Sequence, residues 1–174
     1  MNILQYKPGQ AEHDWALINW HTRLLHDKEF SHTFTNNMKS PSTFISFFFL
    51  PRLLFCVLDD LSNIEMAYWI DPSMSGVFVG MWADASLRQS IRGNRKIYEF
   101  FCIMTEEVLK SWPVIISTIK DRESKAKTDK FIEMHKKLGY NYIGKIPYLF
   151  DKEPANILYL TEENFQAAYV ARRR

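Results

Sequence analysis

The densest concentration of side chains able to bind an anion lies in residues 88–137, which hold 12 Lys or Arg against seven Asp or Glu. This surplus of five positive charges suits a ligand that carries phosphate groups. It equally suits a nucleic-acid backbone or a solvated helix face. The aromatic residues Tyr98, Phe100 and Phe101 follow the periodicity of a core helix, so nucleic acid is the least favoured partner.

Histidines are the other residues whose positions suggest chemistry. His135 lies on a predicted helix beside Phe131 and Leu138, where it is either a proton donor or a packed core residue. The remaining histidines are eight, five and six positions apart, which fits no helical pair of metal ligands; they are His13, His21, His26 and His32. The sequence therefore predicts no metal site.

Length and composition are those of a globular protein. The chain has 174 residues, of which 47% are apolar and 24% charged, with a net charge of +2. These values exclude collagen-like, disulfide-scaffold and wholly disordered classes, and they require neither nucleic acid nor anionic lipid as a partner. We predict one domain at residues 1–168 and a basic C-terminal tail at 169–174.

Location and redox state follow from three local features. The start of the sequence lacks the charged and apolar regions of a secretory signal, which predicts a cytoplasmic protein. The longest apolar tract, residues 44–58, is interrupted by Pro51 and Arg52, so no membrane span is predicted. Cys56 and Cys102 form no CxxC pair and are expected to stay reduced.

Hydrophobic periodicity predicts the elements that position these residues. A strand is expected at 2–7, a helix at 9–25, a loop at 26–39 and a short helix at 41–50, with a strand as the alternative for the last. The core stripe of the first helix is predicted to be Ala11, Trp15, Ile18, Thr22 and Leu25.

The rest of the chain predicts a sheet with two further helices. Strands at 52–59, 64–70 and 77–84 form a meander, with turns at 60–63 and 71–76. A polar segment at 85–94 leads to a helix that starts near Ile97 and ends before Pro113. The β-branched run 114–119 predicts a buried strand beside a parallel neighbour. A helix at 125–138 closes at Gly139, and strands follow at 142–150 and 157–160.

This order of elements resembles that of the GNAT N-acetyltransferase superfamily over nearly the whole chain. The segment HKKLGYNYIG at 135–144 is similar to the family's ending, in which a helix closes with Lys-Leu-Gly and an aromatic residue opens the next strand. The resemblance implies an α/β fold with a mixed, mostly antiparallel sheet of about seven strands flanked by about four helices.

The resemblance also implies a site for acetyl-CoA between the third meander strand and the long helix. The family motif there, Q/R-x-x-G-x-G/A, lets backbone N–H groups cradle a pyrophosphate at a helix N-terminus. In this chain the motif starts at Arg92, and its two small positions hold Arg95 and Ile97. The expected phosphate contacts, mainly from charged side chains, are Arg92, Gly93, Asn94, Arg95 and Lys96.

Catalytic roles implied by the resemblance concern one acid and one base. His135 occupies the position of the family's tyrosine acid, and Thr128 that of an asparagine that often opens the same helix. Asp84 and Glu65, at the ends of meander strands, are the candidate bases that deprotonate the amine, and solvated carboxylates are the alternative. Four aromatic residues either line the acceptor pocket or pack in the core: Trp15, Trp20, Phe30 and Phe34.

Two functions follow from the resemblance. The first is an acyl-CoA-dependent N-acetyltransferase that acts on an amine-bearing small molecule or protein in the cytoplasm, without a membrane partner. The degenerate motif also resembles GNAT-like proteins of short-tailed bacteriophages, including internal virion proteins. The alternative is therefore a non-catalytic phage protein of the virion or of host interaction, with a homo-oligomer or a virion protein as partner.

Overall fold

The described strands and helices follow the predicted order, with further helices at Ala85–Arg88 and Glu162–Arg173. The computed structural model describes residues 1–27, 39–48, 52–72, 77–121, 124–150 and 153–173. The strands are β1 (Leu4–Gln5), β2 (Leu53–Leu58), β3 (Ile64–Asp71), β4 (Val77–Ala83), β5 (Val114–Lys120), β6 (Asn141–Phe150) and β7 (Glu153–Thr161). The helices are α1 (Ala11–His26), α2 (Pro41–Phe47), α3 (Ala85–Arg88), α4 (Ile91–Leu109), α5 (Lys125–Lys137) and α6 (Glu162–Arg173).

The described strands form one sheet of seven, in the order β1-β2-β3-β4-β5-β7-β6. The pairs β1–β2, β2–β3, β5–β7 and β6–β7 are antiparallel, and β4–β5 is parallel. The predicted mixed, mostly antiparallel sheet of about seven strands is confirmed. The described part of the chain holds six helices, two more than predicted.

The first of two units comprises Met1–Pro72 and Gly80–Met104. Its core centres on Trp20, which is 1% exposed. The ring centres of Phe44, Phe48, Trp69 and Trp82 lie 5.4 to 6.3 Å from that of Trp20. The core alternative for Trp20 is therefore confirmed, and Phe30 and Phe34 lie outside the described residues.

The second unit comprises Ser73–Val79 and Thr105–Arg174. Ile115 pairs with Val77 of β4 in parallel and with Leu160 of β7 in antiparallel register, which confirms the parallel neighbour predicted for the β-branched run. Buried Asn156 on β7 donates to the carbonyl oxygen of Ile119 and to Asp121, both at 3.1 Å. These bonds satisfy the buried amide and hold the end of β5 against β7.

Local signals explain why α5 begins and ends where predicted. Ser124 caps its N-terminus by accepting a hydrogen bond from the Lys127 N–H. At its C-terminus Gly139 has a φ of +99°, a left-handed conformation that glycine adopts without strain. A Cβ at Gly139 would also lie 2.7 Å from the Asn164 carbonyl oxygen, so this position requires glycine on two grounds.

Helix α1 is present as predicted, but its predicted buried face is wrong. The residues that α1 buries are Ala16, Leu17, Trp20, His21 and Leu24. Trp15 is instead 61% exposed and Ile18 39% exposed. The helix carries two apolar faces, and only packing against the aromatic core decides which one is buried.

The segment between the meander and the long helix is more regular than its polar composition predicts. Residues 85–94 contain α3 and the start of α4, because Asp84 and Ser90 supply N-caps. Helix α4 therefore begins six residues before Ile97, at Ile91. It ends at Leu109 rather than beside Pro113.

Two other segments bear on the predicted boundaries. Helix α2 confirms the short helix over the strand alternative for that region. Residues 169–173 of the predicted tail belong to α6, which begins with the acidic pair Glu162 and Glu163. Most of the predicted loop 26–39 lies outside the described residues.

Candidate active site

The first turn of α4 is built by a cap and by a close helix contact. The Ser90 hydroxyl accepts a hydrogen bond from the Gly93 N–H at 2.9 Å, and the Ser90 carbonyl oxygen accepts one from the Asn94 N–H. A Cβ at Gly93 would lie 2.2 Å from the Leu87 carbonyl oxygen, so glycine is required for α4 to pack on the backbone of α3. Because the Gly93 N–H already donates to Ser90, it is not available to a ligand.

The basic residues of that turn divide into two kinds. The Arg92 and Arg95 side chains are exposed, and neither side chain forms an ion pair or a hydrogen bond with another described residue. Lys96 is half-buried and forms an ion pair with Glu65. Of the predicted phosphate contacts, the two arginines are thus open to a ligand, whereas Lys96 is engaged.

Glu65 is the second residue of β3, and its side chain contacts Lys96 of the same helix turn. Its side chain is 18% exposed, and Lys96 supplies a positive charge beside it. The carbonyl oxygen of Glu65 accepts a hydrogen bond from the Asp84 N–H at 2.9 Å. The structure thus brings the two candidate bases together at neighbouring strand ends.

Asp84 has its oxygens occupied on both sides. Oδ1 accepts from the Ser86 N–H at 2.9 Å and the Ser86 hydroxyl at 2.6 Å, which caps α3. Oδ2 forms an ion pair with Arg23. Partial burial alone raises the pKa of Asp84, but the Ser86 hydrogen bonds and the Arg23 charge outweigh it and hold the pKa below its ordinary value. Such a carboxylate is a weak base.

A third carboxylate, Asp27, was not predicted. Its side chain is only 9% exposed, and it accepts hydrogen bonds from Arg88 and from the Trp82 indole N–H. These partners are 61 and 55 positions away in the sequence, so no local pattern points to them. Arg23, which also lies 5.6 Å from the Trp82 ring centre, was missed for the same reason.

His135 belongs to the second unit and sits in an aromatic environment. Its Nδ1 lies 2.9 Å from the Phe131 carbonyl oxygen, so Nδ1 carries a proton and donates it there. The ring centres of Phe131 and Tyr140 lie 5.0 and 5.4 Å from that of His135. Aromatic packing thus has direct support, and the role of proton donor stays a prediction.

Other features of the described residues add no chemistry to these candidates. His21 is buried against the Phe44 ring, and no group of His, Cys, Asp or Glu in the described ranges is arranged to hold a metal ion. A pocket of about 360 Å³ at the end of α5 is lined by Lys136, Gly139, Tyr140, Asn141, Tyr142, Asn164 and Ala167, none of them a candidate. Among the described helices, none is long and apolar enough to cross a membrane.

The fold is that of the GNAT N-acetyltransferases. An aminoglycoside 6'-N-acetyltransferase from Enterococcus faecium is 15% identical, covers 92% of this chain and 97% of its own, and gives a TM-score of 0.63. An aminoglycoside 6'-N-acetyltransferase in complex with coenzyme A is 14% identical over 92% of this chain and 97% of its own, with a TM-score of 0.60.

A third solved structure extends the likeness to another substrate class. A variant of the spermidine N-acetyltransferase SpeG from Vibrio cholerae is 8% identical, covers 95% of this chain and 97% of its own, and gives a TM-score of 0.66. No family model and no curated protein matches the sequence. The likeness is therefore one of fold. It is found by comparing structures, at 8–15% sequence identity, and no match to a family model or a curated protein accompanies it.

Proposed function

We propose that this protein is an acyl-CoA-dependent N-acyltransferase that transfers an acetyl group to an amine. One observation carries the proposal: the first turn of α4 exposes Arg92 and Arg95 without ion-pair partners in the described chain, in a fold shared with N-acetyltransferases. Two guanidinium groups on one helix turn provide several N–H donors for phosphate oxygens. This donor set fits the phosphate-bearing part of acetyl-CoA.

The backbone of this turn offers fewer N–H groups for phosphate binding than the family motif would supply. The N–H groups of Ile91 and Arg92 precede the first intrahelical bond and have no acceptor within α4. The next N–H, that of Gly93, is already bound to Ser90. We therefore assign most of the phosphate binding to the side chains of Arg92 and Arg95 and only two donors to the backbone.

In the proposed reaction the amine nitrogen attacks the thioester carbonyl carbon, the new C–N bond forms and the C–S bond breaks. The amine proton passes to a base, and the leaving thiolate takes up a proton. Glu65 is the better base of the two carboxylates, because Asp84 has a lowered pKa and both of its oxygens are occupied. His135 remains the candidate donor to the thiolate.

The acceptor is proposed only as a class. The solved neighbours named above are acetyltransferases of aminoglycosides and of spermidine, both amines. For this chain we propose only that the acceptor carries an amine, and that it is a small molecule or a protein. The cytoplasmic location and the bacteriophage origin stay predictions from the sequence.

A calorimetric titration with acetyl-CoA tests the proposal directly. We expect binding to the full chain, weakened at least about tenfold by Arg92→Ala with Arg95→Ala, since a hydrogen bond to a charged group contributes about 1.5 kcal/mol or more. Lys110→Ala with Lys125→Ala is the matched control, because it removes two exposed positive charges elsewhere. The control should leave the affinity nearly unchanged.

The second candidate function is a non-catalytic module that retains only the fold. The bulky residues at the motif's small positions, Arg95 and Ile97, and the engagement of Lys96 by Glu65 favour it. It predicts no heat of binding from acetyl-CoA at millimolar concentration. Equal weakening by the arginine variant and the lysine control would show only general charge attraction and would also remove the transferase proposal.

A further inference from the structure

Two ion pairs join the end of α1 to the short helix α3. Arg23, in the last turn of α1, pairs with Asp84, which caps the N-terminus of α3. Asp27, the C-cap of α1, pairs with Arg88, the last residue of α3. The two α1 residues are four positions apart, and so are their partners, which places the pairs about one helical turn apart. We call these four residues the α1–α3 clamp.

Trp82 contacts both pairs of the clamp. The Arg23 guanidinium carbon lies 5.6 Å from the centre of the Trp82 ring, and the Trp82 indole N–H donates to Asp27 at 3.2 Å. Trp82 is buried, and its ring centre lies 5.8 Å from that of Trp20 in the aromatic core. The clamp is therefore anchored on the core of its own unit.

The order of the charges sets the position of α3 along α1. On α1 the positive residue precedes the negative one, and on the α3 side the negative residue comes first. A shift of α3 by one turn in one direction would place Arg23 beside Arg88. A shift in the other direction would place Asp27 beside Asp84. Both shifts oppose like charges, so the clamp favours a single register.

The first turn of α4 depends on where α3 lies. Helix α3 is four residues long, too short to be stable alone, and it buries none of its residues. Its Leu87 carbonyl oxygen is nevertheless the surface on which Gly93 packs. Gly93 is the buried residue of this turn of α4, whereas its neighbours Arg92 and Asn94 are exposed. Contact with α3 therefore helps to fix the direction in which the exposed arginines point.

We propose that Arg23 and Asp27 are positioning residues for acetyl-CoA binding. Through the clamp they fix α3, and α3 fixes the orientation in which α4 presents Arg92 and Arg95 to phosphate groups. Their role is one of positioning, since both side chains are engaged by their α3 partners. The inference rests on the proposed function, because it concerns the same basic turn.

Variants of the Asp27–Arg88 pair separate positioning from general electrostatics. Asp27→Asn raises the net charge by one, and Arg88→Gln lowers it by one. Charge attraction alone would therefore tighten acetyl-CoA binding in the first variant and weaken it in the second. Positioning predicts that both variants bind about tenfold more weakly, the loss expected when one charged hydrogen bond to phosphate is no longer made. Calorimetric titration of the full chain measures both.

Asp71→Asn and Arg52→Gln are the matched controls. They break another half-buried Arg–Asp pair, 2.8 Å long, at the end of β3 opposite to Glu65, and they make the same two charge changes. Each should change the affinity by less than about twofold. The swap of Asp27→Arg with Arg88→Asp keeps the net charge and restores an ion pair, so it should recover the affinity to within about threefold of the wild type.

Hydrogen exchange followed by mass spectrometry gives a readout that needs no ligand. The amides of residues 88–90, 93 and 94 are hydrogen-bonded within α3 and the first turn of α4. They should exchange at least about tenfold faster in Asp27→Asn than in the wild type, and at the wild-type rate in Asp71→Asn.

The outcomes distinguish this inference from the proposed function. A wild-type chain that does not bind acetyl-CoA removes the proposed function, and the positioning role falls with it. Wild-type binding that Asp27→Asn leaves unchanged or tightens overturns the positioning role alone. Unchanged exchange in that variant does the same, because α3 would then be held without the clamp.

Discussion

The first turn of α4 and the carboxylates beside it differ in how their charges are satisfied. In the turn, the Arg92 and Arg95 side chains point to solvent without ion-pair partners among the described residues. By contrast, each of the three half-buried carboxylates already has a basic partner; the pairs are Asp27–Arg88, Glu65–Lys96 and Asp84–Arg23. The two arginine side chains are accessible to an anion, whereas each carboxylate would have to release its basic partner before it could contact an amine.

Burial explains this difference. The Glu65 and Asp84 side chains are 18% and 21% exposed, and a carboxylate that leaves water at this level is costly unless a cation or hydrogen-bond donors compensate it. An exposed guanidinium needs no such partner, because water solvates it. The comparison therefore separates residues held by the fold from residues that the fold leaves available to a ligand.

Gly93→Ala is expected to have the largest effect on stability. It tests whether glycine is required here for helix packing rather than for ligand binding. The added Cβ would lie 2.2 Å from the Leu87 carbonyl oxygen, which is backbone and cannot move aside. We expect a loss of about 3 kcal/mol in the free energy of unfolding, measured by urea denaturation. Asn94→Ala, at the exposed neighbouring position, is the control and should change stability by less than about 0.5 kcal/mol.

The sign of the Gly93→Ala effect is itself decisive. Helix propensity alone favours alanine over glycine by about 1 kcal/mol. A stabilised variant would therefore show that α4 does not pack on the α3 backbone at this position.

Asp84→Ala is expected to cost about 2 kcal/mol, because it removes the N-cap of α3 and leaves Arg23 without its carboxylate. Asp84→Asn keeps an oxygen that can cap the helix and should cost about 1 kcal/mol. Equal losses for the two variants would mean that the cap contributes nothing and that the ion pair carries the whole effect. Thermal and urea unfolding of both variants measure the difference.

The same residue predicts a pH dependence. The pKa of Asp84 is below its ordinary value in the folded protein, so its carboxylate adds stability above a pH of about 4, and this stability is lost as the pH falls through the folded pKa. The wild-type stability should therefore fall more steeply with acid than that of Asp84→Asn. Parallel curves for the two proteins would contradict the assignment.

Much of the fold was predictable because its signals are local. The Ser124 cap and Gly139 bound α5, and the β-branched run gave β5 with its parallel neighbour. The buried face of α1 was not predictable, because the helix has two apolar stripes and only the aromatic core around Trp20 selects one. Helix α6 was missed although Phe165 and Tyr169, four positions apart, mark one face of it.

The candidate site was predictable in its residue types but not in its pairings. The basic turn at 92–96 and the carboxylates at strand ends could be named from the sequence. Their partners could not, because Lys96 meets Glu65 across 31 positions and Arg23 meets Asp84 across 61. Ion pairs between residues so far apart in the sequence depend on strand order and register. A short stretch of sequence does not reveal either.

Glu65→Gln is expected to have the smallest effect, a change in the affinity for acetyl-CoA. It tests whether Lys96, now paired with Glu65, can act with the unpaired arginines of the turn. The substitution removes the carboxylate that holds Lys96, so the ammonium group becomes available to a phosphate. We expect acetyl-CoA to bind about threefold more tightly, since partly exposed ion pairs contribute only about 0.2 to 1 kcal/mol. Calorimetric titration measures the change.

Glu99→Gln is the matched control for Glu65→Gln, because it removes the same charge from an exposed position on α4. If both variants tighten binding equally, the gain comes from net charge, and Lys96 is no phosphate ligand. If only Glu65→Gln does so, Lys96 belongs with Arg92 and Arg95 as a third donor that the folded chain holds in reserve. In that case donor binding would itself release Glu65, which links occupation of the basic turn to the exposure of a base for the amine.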